Sequence, residues 1–242
     1  MTGVVLQARL DSSRLPGKAL LDLKGKPTIY RAMQALRRIS QAELFILATD
    51  SQSSELLKPQ ADAAGFELFI GSKENVLDRY AAAVRAFGLD IVVRATGDNP
   101  LVSAELADET IVLQRESGAD YAALKGSPLG TGVEVVRAEA LLAAADEADD
   151  PYETEHVSPF LYRRPERFKL LTPTVDARRL FPSGRVTLDT LDDYRYIARI
   201  FGALYSDKHI GIDELIRWLR TTSAQGENTD EQDSGYSVGT TG

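Results

Sequence analysis

Short apolar runs alternate along the chain with stretches in which apolar residues recur every three or four positions. In the first half the runs predict strands at 3–8, 43–49, 66–70 and 90–95. The periodic stretches between and after them predict helices at 27–39, 53–64, 75–87 and 103–117, with Pro27 in the first turn of its helix, where a missing N–H has no partner to lose. LFILA and IVVRA are almost continuously apolar, as strands covered on both faces are. The alternation predicts an α/β fold with a three-layer, doubly wound, mainly parallel sheet.

After residue 119 the rhythm loosens. Strands are expected near 120–124, 132–137, 168–173 and 184–188, and helices near 138–147, 154–163, 191–204 and 212–220. The segment 146–155 reads as an acidic, solvated loop rather than a metal site. From Thr221 to Gly242 the residues are polar or small with almost nothing to bury, which predicts a disordered tail. A single domain over 1–220 is the expectation, since 242 residues with 43% hydrophobic content suit one sizeable core.

Composition narrows the chemistry. The chain has no cysteine, so disulfides, thiolate metal sites and a cysteine nucleophile are excluded. It has two histidines, His156 and His209, too few for a three-histidine metal centre. No apolar run approaches the length of a membrane span and no leader pattern opens the chain, so a cytoplasmic protein without a membrane partner is expected. The net charge of −8 argues against nucleic acid, whose phosphates need clustered Lys and Arg.

Against that acidic background QARLDSSRLPGK, residues 7–18, is locally cationic through Arg9, Arg14 and Lys18. It leaves the first strand at its carboxyl end, where open parallel sheets bind ligands. Ser12 and Ser13 supply hydroxyl donors, Gly17 lets backbone amides come close to oxygens, and Arg14 and Lys18 can spread charge along a polyphosphate. The loop therefore reads as a phosphate cradle. It is neither a P-loop nor a dinucleotide fingerprint, because GxxxxGK[ST] and GxGxxG are both missing.

The run QARLDSSRLPGKALLDLKGKP resembles the opening signature of the cytidylyltransferases that activate acidic sugars, such as the CMP-KDO and CMP-sialic acid synthetases, and is nearest to the spore-coat SpsF-type branch. The similarity continues through LATD (47–50), GSKENVLDRY (71–80), VVRATGDNPLV (92–102), GVEV (132–135), TEHVSPF (154–160) and VTLDTLDDY (186–194). It implies a Rossmann-like nucleotidyltransferase fold, CTP and a small acidic acceptor as partners, Mg²⁺ as cofactor, and a homodimer.

Carried onto this chain, the resemblance implies Arg14, Lys18 and Asp98 as catalytic residues and Asp98 with Asp189 as magnesium ligands. The nucleotide would meet Gln7, Ala8, Arg9, Ser13, Gly17, Gly71, Ser72, Arg79, Thr96 and Gly97. The acceptor would meet Arg94, Glu134, Glu155 and His156. Read alone, Asp98 is also a turn former before Asn-Pro. Asp189 could equally be a helix N-cap, a role open to Thr190 or Asp192 as well. The KDO branch usually carries GDEP; Asn99 in GDNP removes one negative charge and speaks against carrying the KDO substrate over directly.

With no GxSxG elbow and no serine paired to a histidine, covalent catalysis is disfavoured. What remains is in-line attack of an acceptor hydroxyl on the α-phosphorus of CTP, a reaction governed by positioning and charge neutralisation. Two alternatives share the fold: a metal-dependent glycosyltransferase, which would generally show a D-x-D motif at a strand end, and a non-catalytic nucleotide-binding homologue. The strand ends here lack D-x-D, and the joint presence of Arg14, Lys18, Asp98 and Asp189 speaks against a scaffold.

Overall fold

A computed structural model describes residues 1–206 and 209–233. Seven strands form one sheet in the order β3-β2-β1-β4-β6-β5-β7. They are β1 Thr2–Gln7, β2 Leu44–Thr49, β3 Glu67–Ile70, β4 Ile91–Thr96, β5 Tyr121–Ala123, β6 Glu134–Arg137 and β7 Leu170–Leu171. The first four run parallel, whereas β6 is antiparallel to both β4 and β5. The mainly parallel α/β sheet with helical layers on both faces is thus as the apolar rhythm predicts.

The helices are α1 Thr28–Leu36, α2 Ser51–Ala64, α3 Val76–Phe87, α4 Ala104–Ser117, α5 Ala138–Glu147, α6 Pro151–His156, α7 Pro159–Tyr162, α8 Leu191–Leu204 and α9 Ile212–Asp233. Strand side chains alternate faces, which divides the core. Val4, Leu6 and Leu47 face a layer with Ile29, Met33 and Ile111, while Val5, Ile46 and Val92 face Leu77, Tyr80 and Leu141. A third apolar cluster joins Leu101, Leu106 and Leu188 to Ile197, Phe201 and Leu215, and it anchors the chain's last third beside the sheet's carboxyl edge.

The looser second half departs from its pattern in three places. The expected helix 154–163 is two short helices. Pro159 has no N–H to continue the ladder, and Val157 breaks away at φ 70 and ψ −60, with the Ser158 N–H closing on His156 O at 2.8 Å in a γ-turn. The expected acidic loop 146–155 contains the whole first turn of α6, because Asp150 caps it by accepting from Tyr152 N and Pro151 fits the first helical position. The expected strand 184–188 is extended but makes only an isolated bridge, Leu129 with Arg185. Its alternating Val186 and Leu188 are buried in the third cluster rather than on the sheet.

Of the polar tail expected from Thr221, residues up to Asp233 continue α9, each further residue adding one hydrogen bond to a helix already nucleated. Residues 234–242 lie outside the described residues. No helix among the described residues is long and apolar enough to cross a membrane.

Candidate active site

The parallel register aligns Gln7 with Ala48 on one side and Thr96 on the other, so β1, β2 and β4 end together. The loops leaving β1 and β4 meet at that edge. Gly97 makes the meeting possible: it donates to Gln7 O at 2.8 Å, and a Cβ there would lie 2.8 Å from Ile29 Cδ1 and 2.9 Å from Ala8 Cβ. The turn that follows carries Asp98.

Asp189 arrives from far along the chain. Leu188 N donates to Asp98 O at 2.8 Å, which pins the extended segment before α8 against the Gly-Asp turn. Thr190, not Asp189, caps α8: its hydroxyl accepts from Asp193 N, and the Asp193 carboxylate accepts from Thr190 N in return. Asp189 is therefore released from a capping role and faces the opening loop.

Lys18 joins the two acids. Its Nζ donates to Leu188 O at 2.6 Å and Asp189 Oδ1 at 3.0 Å, and stands 3.7 Å from Asp98 Oδ2. Lys18 and Asp189 are only 16% and 12% exposed at the side chain, so the pair is shielded from bulk water. Arg14 reaches Asp189 Oδ1 at 2.8 Å, and Arg185 reaches Asp189 Oδ2 at 2.7 Å. Asp98 Oδ1 is buried with no hydrogen-bond partner.

These contacts set the acid's titration. Burial works to raise the Asp189 carboxyl, but the Lys18 hydrogen bond and charge, with Arg185 and Arg14, hold it below the ordinary value of 3.8. A depressed carboxyl contributes stability that is present above pH 3.8 and lost as pH falls through the folded-state value. Urea midpoints should therefore hold level down to about pH 5 and fall below about pH 4, and Asp189→Asn should flatten that acid limb. Superimposable acid limbs in the two proteins would contradict the assignment.

A cleft of about 400 Å³ opens over these groups. Gln7, Ala8, Arg9, Ser12, Ser13, Arg14 and Lys18 line it from the opening loop, Arg94, Thr96, Gly97 and Asp98 from β4 and its turn, and Glu155, His156 and Asp189 from later in the chain. Arg9 spans the mouth to Glu155 Oε1 at 3.1 Å. Most residues singled out in the sequence thus meet here, 170 or more positions apart in the case of Lys18 and Asp189.

Others do not line the cleft. The Gly17 N–H turns inward to Leu10 O, bracing the loop. Gly71, Ser72 and Arg79 form a block beside the cleft: Arg79 is 1% exposed and donates to Ser72 O at 2.6 Å, and a Cβ on Gly71 would meet Arg79 Cγ. Arg94 does line the cleft, but there, where it was expected to meet the acceptor, it is already paired with Glu134 at 2.6 Å, and Glu134 itself lies outside the lining. Burial weakens the Arg94 charge, but Glu134 outweighs burial and raises its pKa. Glu134 also accepts from Tyr121 Oη and Ser158 Oγ, both at 2.8 Å.

The sequence reading missed Arg185, Tyr121 and Ser158. Arg185 lies four residues before Asp189 in an extended segment, a spacing with no contact rule of its own. Tyr121 reaches Glu134 across the antiparallel β5–β6 pair, and Ser158 reaches it through the turn at Val157.

The cytidylyltransferase family model matches residues 4–220. The chain belongs to the cytidylyltransferase family. Among its relatives, the spore coat polysaccharide biosynthesis protein SpsF of Bacillus subtilis is 32% identical over 222 residues, covering 89% of this chain and 92% of that protein. The 3-deoxy-manno-octulosonate cytidylyltransferase of Neisseria gonorrhoeae is 38% identical over 124 residues, about half of each chain. A solved cytidylyltransferase of Leptospira borgpetersenii superposes with a TM-score of 0.84 at 25% identity, covering 92% of this chain and 95% of that one. The family named by the opening loop and the GDNP turn is the right one, and this cytidylyltransferase carries both beside one cleft at the carboxyl edge of its sheet.

Proposed function

We propose that this enzyme transfers CMP from CTP to a hydroxyl of an acidic sugar or related small acid, with Mg²⁺, and releases pyrophosphate for surface-glycan assembly. One observation carries the reading: Lys18 Nζ bridges Asp98 and Asp189 at the carboxyl edge of the parallel strands, in a cleft whose lining also includes Arg9, Arg14, Arg94 and the hydroxyls of Ser12, Ser13 and Thr96.

The donor set fits the metal. Mg²⁺ takes one or two carboxylates and completes its shell with water and phosphate oxygens, and Asp98 Oδ1 is a buried oxygen with no other partner. Asp98 and Asp189 would hold it. When bound it supplies Lewis-acid polarisation of the α-phosphate. No group of three or more His, Cys, Asp or Glu side chains suited to a metal occurs among the described residues, which agrees with a site that relies on substrate oxygens.

The chain's own residues do the rest. Arg14 and Lys18 bring positive charge to the triphosphate and offset the charge that builds on pyrophosphate as the α–β bridging bond breaks. Thr96 and Arg94 form the wall between this cleft and the space beyond it, across which the acceptor hydroxyl approaches the α-phosphorus. The new bond joins that oxygen to phosphorus, and the hydroxyl proton passes to solvent. The relative's connection to spore-coat polysaccharide supports the surface-glycan role.

Pyrophosphate release from CTP in the presence of a sugar-acid panel tests the reading. Release should stop in EDTA and return with excess magnesium, and Asp98→Asn should need at least about tenfold more magnesium for half-maximal rate. Undiminished release in EDTA, or an unshifted magnesium requirement, would remove the metal from the proposal.

A further inference from the structure

Three cations meet on the carboxylate of Asp189. Arg14 and Lys18 reach Oδ1 at 2.8 and 3.0 Å, and Arg185 reaches Oδ2 at 2.7 Å. Arg14 and Lys18 line the cleft, where a triphosphate can draw on their charge, whereas Arg185 does not line it. The pair with Arg185 is therefore the one that an anion entering the cleft leaves in place.

The segment before α8 sets up that pair. It is extended, and alternate residues of an extended segment share a face. Val186 and Leu188 are buried in the third apolar cluster, which leaves Arg185, Thr187 and Asp189 on the other side. The segment is fixed along this stretch, with Val186 N donating to Leu129 O and Leu188 N to Asp98 O, both at 2.8 Å. Asp193 completes the arrangement: its Oδ2 accepts from Asp189 N at 3.0 Å, and its Oδ1 stands 3.7 Å from Arg185 Nε. A guanidinium suits this place because its rigid fork can serve two carboxylates at once, here through Nη2 and Nε.

Asp189 is thus held at its amide by Asp193 and at one carboxylate oxygen by Arg185. The second hold matters because the last torsion of an aspartate is soft, and a carboxylate with no fixed partner rotates through a broad range. With the Arg185 side chain 44% exposed, the pair adds little to folding, and its effect falls on the orientation of the 12%-exposed Asp189.

We propose that Arg185 is a positioning residue of the transfer reaction: by holding Oδ2 of Asp189, it keeps Oδ1 facing the cleft when the triphosphate draws Arg14 and Lys18 away. This rests on the reading above in which Asp98 and Asp189 hold the metal. Arg185 touches neither substrate nor metal and acts through the acid alone.

The test uses Mn²⁺, retained by the protein in equilibrium dialysis with CTP and no acceptor, so that binding is read apart from turnover. Arg185→Gln should weaken Mn²⁺ retention about tenfold or more, and Arg185→Lys, which keeps the charge and loses the fork, should fall between that variant and wild type. In pyrophosphate release, the magnesium needed for half-maximal rate should rise by a similar factor in Arg185→Gln, with kcat at saturating magnesium within about twofold of wild type. A general loss of structure does not give that split. Unshifted Mn²⁺ retention in Arg185→Gln would overturn the proposal, as would a fall in kcat that excess magnesium fails to recover or a lysine variant no better than glutamine. Wild-type protein that retains Mn²⁺ equally with Arg185→Gln removes Arg185 alone; wild-type protein that retains none removes the metal from the transferase reading too.

Discussion

Lys18→Ala should lower pyrophosphate release by about 10²–10³-fold while the protein remains folded. The ammonium lies 2.6 Å from Leu188 O, 3.0 Å from Asp189 Oδ1 and 3.7 Å from Asp98 Oδ2, and among the described residues it is the one side chain that pairs with both acids. Removing it leaves two carboxylates without their shared counter-ion and takes a positive charge from the departing pyrophosphate. Folding should survive because Asp189 keeps Arg14 at 2.8 Å and Arg185 at 2.7 Å. Lys18→Arg should not restore the rate, since a planar fork cannot replace a compact ammonium at this crossing. Circular dichroism should match wild type, and turnover within about tenfold of wild type would sink the assigned role.

Gly130→Ala should give the largest loss of stability of the variants considered, about 2–5 kcal/mol, or roughly 5–15 °C in Tm. Gly130 has φ 98, outside the comfortable range of residues with a Cβ, and an added Cβ would lie 2.9 Å from both Thr187 N and Val186 C. Both neighbours are backbone, so no side chain can swing away. The contact matters because residues 128–131 hold the segment that delivers Asp189: Leu129 N donates to Gly184 O, and Val186 N to Leu129 O, at 2.8 Å each. The folded fraction of the variant should also show a weaker acid limb in its pH profile, because Asp189 would shift from Lys18. Thermal melting with a change under about 1 kcal/mol would show that the two strands of chain yield more easily than their packing implies.

The GDNP motif marked Asp98 in advance because a carboxylate in a turn after a buried strand must emerge at the ligand edge. Asp189 carried the same mark, but so did a competing one, the helix cap. The choice fell to Thr190, through the reciprocal bonds between Thr190 and Asp193. Arg94 shows the opposite outcome. It was singled out in the sequence and it does line the cleft beside Thr96, yet its charge is taken by Glu134 on the antiparallel neighbour β6. That strand's direction breaks the β-α-β rhythm and has no signature in local apolar spacing.

Local periodicity by itself determined the parallel half of the sheet, its covering helices and the edge from which the opening loop departs, because side-chain alternation and helical repeat are properties of neighbours in sequence. Only the tertiary structure decided which acid meets Lys18 and which cation is already spent. Those outcomes depend on hydrogen bonds such as Leu188 N to Asp98 O and ion pairs such as Arg94 with Glu134, whose partners are joined by packing across long stretches of chain.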